Sequence, residues 1–102
     1  MVKKGHSLSL RQAADLFGLL ADETRLRLAL ALASRGEAHV EDLGEGVGMS
    51  HQAVSYHLGL FRRGGLASAR RDGQHVYYRL ANTLVADLLR LVCDQGLLEC
   101  PD

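Results

Sequence analysis

The sequence has few of the residues that mark a secreted or membrane-spanning protein. Of its 102 residues, two are cysteine, one is proline and none is tryptophan. Two cysteines, Cys93 and Cys100, do not make a disulfide framework, and no Cys-x-x-Cys motif is present. No apolar run reaches the roughly 18 residues that span a bilayer, and no apolar signal core follows the basic start Met-Val-Lys-Lys. We therefore expect a cytoplasmic, single-domain protein with no membrane partner.

Net charge is also absent, since 12 lysines and arginines balance 12 aspartates and glutamates. Zero net charge is weak evidence against nucleic-acid binding, but the distribution of charge matters more. The stretch from Glu37 to Glu45 carries acidic residues and no basic one, whereas the stretch from Arg62 to Arg79 is rich in arginine. This separation indicates either two ordinary solvated faces or a basic surface that meets nucleic acid.

Motifs of common enzymes are missing as well. The sequence has no Gly-x-Ser-x-Gly, no phosphate-binding loop and no His-Glu-x-x-His. Tyr56 and His57 are adjacent in sequence, so on a helix their side chains diverge and cannot form one site. We therefore expect no enzymatic activity and no cofactor.

What is present is a series of helical patterns. Apolar residues recur at helical spacing from Ser9 to Leu20. Asp22 can cap a second helix from Glu23 to about Ser34, which Gly36 ends and which is apolar on nearly all sides, as a central helix would be. The apolar positions of the first helix are Leu10, Ala13, Phe17 and Leu20.

A helix-turn-helix is predicted over about residues 40–63. A short third helix runs from about Val40 to Val47, and Gly48-Met49 forms a tight turn. Ser50 caps a fourth helix, which Gly64-Gly65 ends. Three residues of that helix fall on its core-facing side: Val54, Leu58 and Phe61.

The period then changes to that of a hairpin, over about residues 66–80. Leu66–Arg71 and Gln74–Leu80 read as strands, with Asp72-Gly73 as a two-residue turn. A hairpin after a helix-turn-helix is a wing. Asn82 can cap a last helix from Thr83 to about Gln95, so apolar around its circumference that a second subunit is the economical partner. The predicted fold is mainly α with a small β-hairpin wing, an α+β winged helix-turn-helix that dimerises.

Four segments of the chain together match a known pattern. They are residues 20–28 on the second helix, 54–58 on the fourth, 64–66 before the wing and 73–80 on the wing. In this order they resemble the ArsR/SmtB family of winged helix-turn-helix repressors across nearly the whole chain. The resemblance implies a homodimeric transcription repressor that binds a double-stranded DNA operator and is released by an inducer. The sequence does not name that inducer.

The helix-turn-helix frame predicts which side chains meet DNA. On the fourth helix these are the outward polar residues Ser50, His51, Gln52, Ser55 and Tyr56, where Gln52 can pair with adenine. Phosphate or minor-groove contacts are expected from Arg62, Arg63, Arg70, Arg71 and Gln74. The alternative is a polar face on an interaction module that has lost DNA binding. Arg79 is expected to be structural, and His57 to be a buried histidine bonded to the backbone rather than a signalling residue.

The usual sensing positions of the family are altered. Where thiolates stand in a Cys-Val-Cys segment, this chain has His39-Val40-Glu41. The matches to the zinc ligands of the last helix offer no good ligand: Asn82, Leu84, Gln95 and Leu98. His39 and Glu41 are weak metal candidates, and a solvated helix start explains them more simply. We expect that stoichiometric zinc does not release the protein from DNA.

Cys93 and Cys100 remain as candidate sensing residues. Cys93 reads equally as a small apolar residue on a buried helix, and Cys100 lies in a tail beyond Gly96. Together they could bind a thiophilic ion or form a disulfide. On an unbroken helix, two turns would separate the two cysteines by about 10 Å, which is too far for a disulfide or a shared ion. Either one therefore requires the chain to fold back at Gly96 or a thiol from the other subunit. The absence of any sensing is the third alternative.

Overall fold

The computed structural model describes residues 8–96 and 98, which form five helices and three strands. The bounds are α1 Leu10–Leu20, α2 Glu23–Arg35, β1 Glu37–His39, α3 Val40–Val47, α4 His51–Arg63, β2 Ala67–Asp72, β3 His75–Leu80 and α5 Thr83–Asp94. Within these residues, no helix has the length and apolarity to cross a membrane.

Helix α2 is the centre of the core. Its six consecutive residues 28–33 are all buried, four of them with no exposed surface. The side chain of Asp22 accepts the backbone N–H of Arg25 at 3.0 Å and so caps the first turn, while Gly36 ends the helix. The helix contacts α1, α3 and α5. Its prediction as a central buried helix is therefore confirmed.

Helix α1 divides its apolar residues between the core and the surface. Ser9 is its N-cap, in a reciprocal arrangement with Gln12. Of the four apolar positions that the helical spacing grouped together, only Leu20 is buried in the protomer. Leu10 and Phe17 are 91% and 52% exposed. The core contact is made by Leu16 and Leu20, and Leu19 packs against the same core.

The sheet has one more strand than expected. Strand β1 pairs antiparallel with β3, and the order across the sheet is β1-β3-β2. The hairpin turn is also shifted by one residue, since Asp72 pairs with His75 and the two-residue loop is Gly73-Gln74 rather than Asp72-Gly73. Gly73 has φ +65°, which places the positive φ at the first loop position, as a type II′ turn requires.

Strand register divides the sheet into two faces. Side chains alternate along each strand, so every second residue shares a face. The inner face carries Ala38, Ala67, Ala69, Val76, Tyr78 and Leu80, together with Arg71 near the hairpin tip. The outer face is entirely polar or aromatic: Glu37, His39, Ser68, Arg70, Asp72, His75, Tyr77 and Arg79. Polar groups on the outer face are therefore close enough to pair across strands.

The turn between α3 and α4 is tightly packed. A Cβ on Gly44 would lie 2.9 Å from the backbone oxygen of Met49, so only glycine allows this approach. Gly48 ends α3, and the Ser50 side chain accepts the N–H of Ala53 at 3.1 Å. The turn fixes the angle at which α4 leaves α3, as a helix-turn-helix needs.

Candidate nucleic-acid interface

Helix α4 separates a buried side from an open polar side. Val54, Leu58 and Phe61 have no exposed surface, as predicted. The residues predicted to contact DNA are all exposed, and they cluster at the start of the helix: Ser50, His51, Gln52, Ser55 and Tyr56. The hydroxyl oxygen of Ser50 already serves as the helix cap. The other four side chains stand open on the surface.

The electrostatics of α4 also suit a polyanion. Its first turn contains no acidic residue, and its last turn carries Arg62 and Arg63. A helix N-terminus carries a partial positive charge, which an acidic side chain there would offset. Both arginines are exposed and neither has an ion-pair partner among residues 8–96 and 98. The open face of α4 therefore presents positive potential at both ends.

The wing lies beside this helix, and a cleft separates the two. The cleft has a volume of about 370 Å³. Its lining comes from α4, from the end of β1 with the start of α3, and from the wing, and its polar members are His39, Glu41, His51, Ser55, Gln74 and His75. Helix α4 and the wing thus line the same cleft. The sequence prediction had included His51, Ser55 and Gln74 in this surface.

The two arginines near the wing tip have different surroundings. Arg70 donates to both carboxylate oxygens of Glu37, at 2.7 and 3.2 Å, and its guanidinium lies 4.8 Å from the centre of the Tyr77 ring. The hydrogen bond with Arg70 lowers the pKa of Glu37 and raises that of Arg70. Arg71 is exposed, and no such partner is found for it in the described part of the chain. Of these two arginines, Arg71 is the one whose guanidinium is open to a phosphate.

The acidic and basic stretches of the sequence therefore meet in part. The Glu37–Arg70 pair joins them across the sheet. Arg79 donates to the hydroxyl of Ser68 at 3.4 Å, which agrees with its expected structural role. Glu37 was not selected as a functional residue, because β1 is short and its pairing with β3 is not apparent from the sequence.

His39 has two neighbours that the sequence did not reveal. Its Nδ1 accepts the backbone N–H of Glu41 at 3.3 Å, so the side chain caps α3. Its Nε2 lies 3.2 Å from Nδ1 of His75. Across the described residues, no group of three or more His, Cys, Asp and Glu side chains is arranged to hold a metal ion. His39 therefore links the start of α3 to the wing.

His57 does not behave as expected. The side chain is half-buried, but its Nδ1 is buried with no hydrogen-bond partner in the described part of the protein. The predicted bond to the backbone is therefore wrong. The rings of His57 and Tyr56 meet edge-on, with centroids 5.2 Å apart, so the prediction that these two side chains diverge is also wrong.

At the end of α5, the candidate sensing residues are only partly described. Cys93 is half-buried, packs against the core and is disulfide-bonded. Helix α5 ends at Asp94, and Gly96 follows it with φ +69°. Cys100 lies outside the described residues. Asn82 caps α5 through its side-chain oxygen, and Leu84 is exposed.

A second open surface lies away from the cleft. Large apolar side chains of α1 and α5 remain exposed: Leu10, Phe17, Leu84, Leu88 and Leu91. The other side of α5 packs on the core through Val85, Ala86 and Leu89. An exposed apolar group of this kind marks an interaction surface.

These features define a winged helix-turn-helix protein with an open polar recognition face. A family model described as a helix-turn-helix domain matches residues 20–68. The chain is 45% identical over 84 residues to the "Transcriptional repressor SmtB homolog" of Synechocystis, covering 82% of this chain and 63% of that protein. It is 40% identical over 78 residues to the "Arsenical resistance operon repressor" of Escherichia coli, covering 76% and 67%.

Solved structures agree with these relatives. The homodimeric winged helix-turn-helix DNA-binding domain Mb0332 of Mycobacterium bovis, described as a possible ArsR-family transcriptional regulator, superposes with a TM-score of 0.72. It is 37% identical, over 86% of this chain and 83% of that one. This chain belongs to the ArsR/SmtB family of winged helix-turn-helix transcriptional regulators. It spans less than two thirds of the length of the Synechocystis relative.

Proposed function

We propose that this protein is a sequence-specific DNA-binding transcriptional regulator, a repressor that leaves its operator when an inducer acts on it. The observation that carries the proposal is the exposed polar start of α4 beside the wing, with one cleft between them. An α-helix fits the major groove of DNA, and its N-terminal residues reach base edges. A wing beside such a helix reaches the neighbouring backbone or minor groove.

Within this proposal, the interface residues divide into two kinds. Gln52, Ser55 and Tyr56 read base edges, and Gln52 is suited to a bidentate contact with adenine. Phosphate contacts come from Arg71 and Gln74 on the wing and from the two arginines that end α4. Arg70 contributes less than the sequence suggested, because Glu37 and Tyr77 hold its guanidinium on the outer face of the sheet.

The proposed regulator acts as a symmetric dimer through α1 and α5. The exposed leucines of α5 and the exposed Leu10 and Phe17 of α1 supply an apolar surface that one protomer does not cover. A second copy is the occupant that we propose, since the Mycobacterium bovis domain is described as homodimeric and is 37% identical to this chain. A two-fold dimer presents two recognition helices to two half-sites of a palindromic operator.

The test of DNA binding is fluorescence anisotropy with a duplex from upstream of the protein's own gene and a random duplex of equal length. Gln52→Ala and Ser55→Ala are compared with Ser34→Ala, an exposed serine at the end of α2, outside the interface. Gln52→Ala should lose about 1–3 kcal/mol on the upstream duplex and little on the random one. An equal loss on both would mean that Gln52 does not read bases.

The alternative function is an interaction module without DNA binding, which the zero net charge favours. Retention on heparin, followed by the same anisotropy measurement, separates the two. If the wild-type protein binds neither duplex at low salt, the regulator proposal fails and the alternative stands.

For the inducer, we propose that thiol chemistry at the end of α5 lowers operator affinity. Two observations support the proposal: Cys93 is disulfide-bonded, and Gly96, just beyond the helix, has a positive φ. Oxidation or a thiophilic ion at this point would shift α5 and, through the dimer, the spacing of the two α4 helices. The residues in the family's zinc positions offer no competing site, since Asn82 is a cap and Leu84 is apolar.

The inducer proposal is tested on wild type and on the double variant Cys93→Ser/Cys100→Ser. Operator binding is measured after reduction, and then with hydrogen peroxide, arsenite or zinc. We expect oxidant or arsenite to release reduced wild type but not the double variant. Equal responses would remove the thiols from the mechanism, and release by one equivalent of zinc would contradict the absence of a zinc site.

A further inference from the structure

His39 and His75 form a hydrogen-bonded pair in the cleft between α4 and the wing. His39 stands at the end of β1 and His75 at the start of β3, next to the wing tip. Their rings are 5.0 Å apart and nearly perpendicular, with 3.2 Å between the facing nitrogens. The pair does not belong to the hydrophobic core, and the DNA contacts named above do not include it.

The hydrogen bonds of the pair indicate where each neutral ring carries its proton. Nδ1 of His39 accepts the N–H of Glu41, so it carries no proton. The ring proton of neutral His39 is then on Nε2, which donates to Nδ1 of His75. His75 in turn carries its proton on Nε2, for which no partner is found among residues 8–96 and 98. A further proton on either ring must therefore break one of these bonds.

The pair faces a cleft that a polyanion would close. A phosphate oxygen at the cleft would accept the N–H of His75 and would favour a positive charge on the ring. The added proton would lie on Nδ1 of His75, which would donate to Nε2 of His39. The proton of His39 would move to its Nδ1 and break the bond to the N–H of Glu41. The contact between the charged ring and the phosphate would offset the loss of this bond, which at 3.3 Å is long. Histidine is the side chain whose charge changes most readily between pH 5 and 8.

Both acidic and basic groups surround the histidine pair. From β2, Asp72 pairs in register with His75, and Arg70 lies over Tyr77, whose ring contacts both histidines. Glu37 neutralises Arg70. In the cleft, the remaining groups are Glu41 of α3 and His51 of α4. Asp72, which also lies 4.0 Å from Arg70, and Glu41 place negative charge near the pair, and a protonated His51 would place positive charge there.

We propose that the His39–His75 pair is a DNA-phosphate site that takes up one proton per protomer when DNA binds. The inference rests on the proposed function, and it adds two residues to the interface. Affinity for DNA therefore rises as the pH falls through the range in which histidine titrates. Because a phosphate contact carries no sequence information, the effect is the same on operator and random DNA.

The experiment measures the association constant for both duplexes from about pH 8 to about pH 6 at constant ionic strength. For one proton per protomer, the constant rises by up to about tenfold per pH unit for each bound protomer. His39→Gln and His75→Gln keep a hydrogen-bonding side chain that does not titrate, and we expect each to flatten the dependence. The control is His57→Gln, on the core side of α4, which should keep the wild-type slope.

Calorimetry in two buffers of different ionisation enthalpy counts the protons directly, and circular dichroism confirms that each variant is folded. Wild-type binding that is independent of pH, or that weakens as the pH falls, would overturn the inference and leave the proposed function intact. So would a slope that is lost in His51→Gln but kept in His75→Gln. Absence of DNA binding at every pH would overturn both proposals.

Discussion

Helices α2 and α5 are both apolar around most of their circumference, but the fold uses them differently. Residues 28–33 of α2 are all buried by the protein's own helices and sheet. Helix α5 buries Val85, Ala86 and Leu89, while Leu84, Leu88 and Leu91 stay 40–54% exposed. An apolar helix is therefore either the centre of its own protomer or part of a surface for another. Composition alone does not distinguish the two, because both helices show the same pattern.

The two arginines of the wing differ in the same way, since one is engaged within the protomer and the other is left open. Arg70 is engaged by Glu37 and Tyr77 within the protomer, whereas Arg71, the next residue, stands without an ion-pair partner among the residues described. Strand alternation produces this difference, because Arg70 lies on the outer face of the sheet with Glu37 and Arg71 on the inner one. We expect exposed side chains without a partner in the protomer, such as Arg71, to be the ones that contact DNA or a second subunit.

The largest expected effect is that of Leu88→Glu on the dimer. A carboxylate without a partner in an apolar interface costs about 3–5 kcal/mol, and symmetry doubles the number of copies. We expect a folded monomer at micromolar concentration, because Leu88 is 40% exposed in the protomer. Sedimentation velocity and circular dichroism measure assembly and folding.

The control for Leu88→Glu is Ser34→Glu, which adds the same charge at the exposed end of α2. It should remain dimeric. A wild-type protein that sediments as a monomer would contradict the assignment of α5 to an interface. Unfolding of Leu88→Glu would mean that the protomer needs its partner in order to fold.

The second effect is that of Leu32→Ala in α2. Leu32 has no exposed surface, so truncation leaves a cavity and should lower the free energy of unfolding by about 2–5 kcal/mol. Leu91→Ala, its counterpart on α5, should act mainly on the dimer and so depend on protein concentration. Urea denaturation at two protein concentrations measures both. If both variants lost a similar free energy of unfolding at both protein concentrations, α5 would be a core helix like α2 rather than part of a dimer interface.

The elements best predicted from the sequence are those determined by local interactions. Asp22, Ser50 and Asn82 are predictable as caps because a capping side chain bonds to a backbone N–H of the first helical turn. The core side of α4 follows from the spacing of Val54, Leu58 and Phe61. The exposure of its polar side is a consequence of the same spacing.

What the sequence did not reveal depends on pairing between distant residues. Strand β1 has three residues, and only its pairing with β3, some forty positions later, makes it a strand. Without β1, neither the Glu37–Arg70 ion pair nor the proximity of His39 to His75 can be inferred. The predicted wing turn was wrong by one residue because both Asp72-Gly73 and Gly73-Gln74 are acceptable two-residue turns.

The third prediction compares Arg71→Ala with Arg70→Ala in DNA binding. Arg71→Ala should weaken binding to operator and random duplexes alike and reduce the slope of log K against log salt by about one for each phosphate that the arginine neutralises. Arg70→Ala should leave the slope nearly unchanged, because Glu37 already neutralises this arginine. Anisotropy titrations over a series of salt concentrations measure the slopes. Equal slopes in the two variants would show that Glu37 does not withhold Arg70 from DNA.

The smallest effect is that of Glu37→Gln on stability, and it depends on pH. Hydrogen bonding to Arg70 lowers the pKa of Glu37 below its ordinary value of 4.5, so the folded protein favours the ionised carboxylate. The contribution of the pair is therefore complete above that value and is lost as the pH falls through the lowered pKa. Because the pair is exposed, its contribution is small. Urea midpoints of wild type and variant should differ slightly at neutral pH and converge in acid, whereas a difference that persists in acid would mean that Glu37 stabilises the sheet by packing rather than by charge.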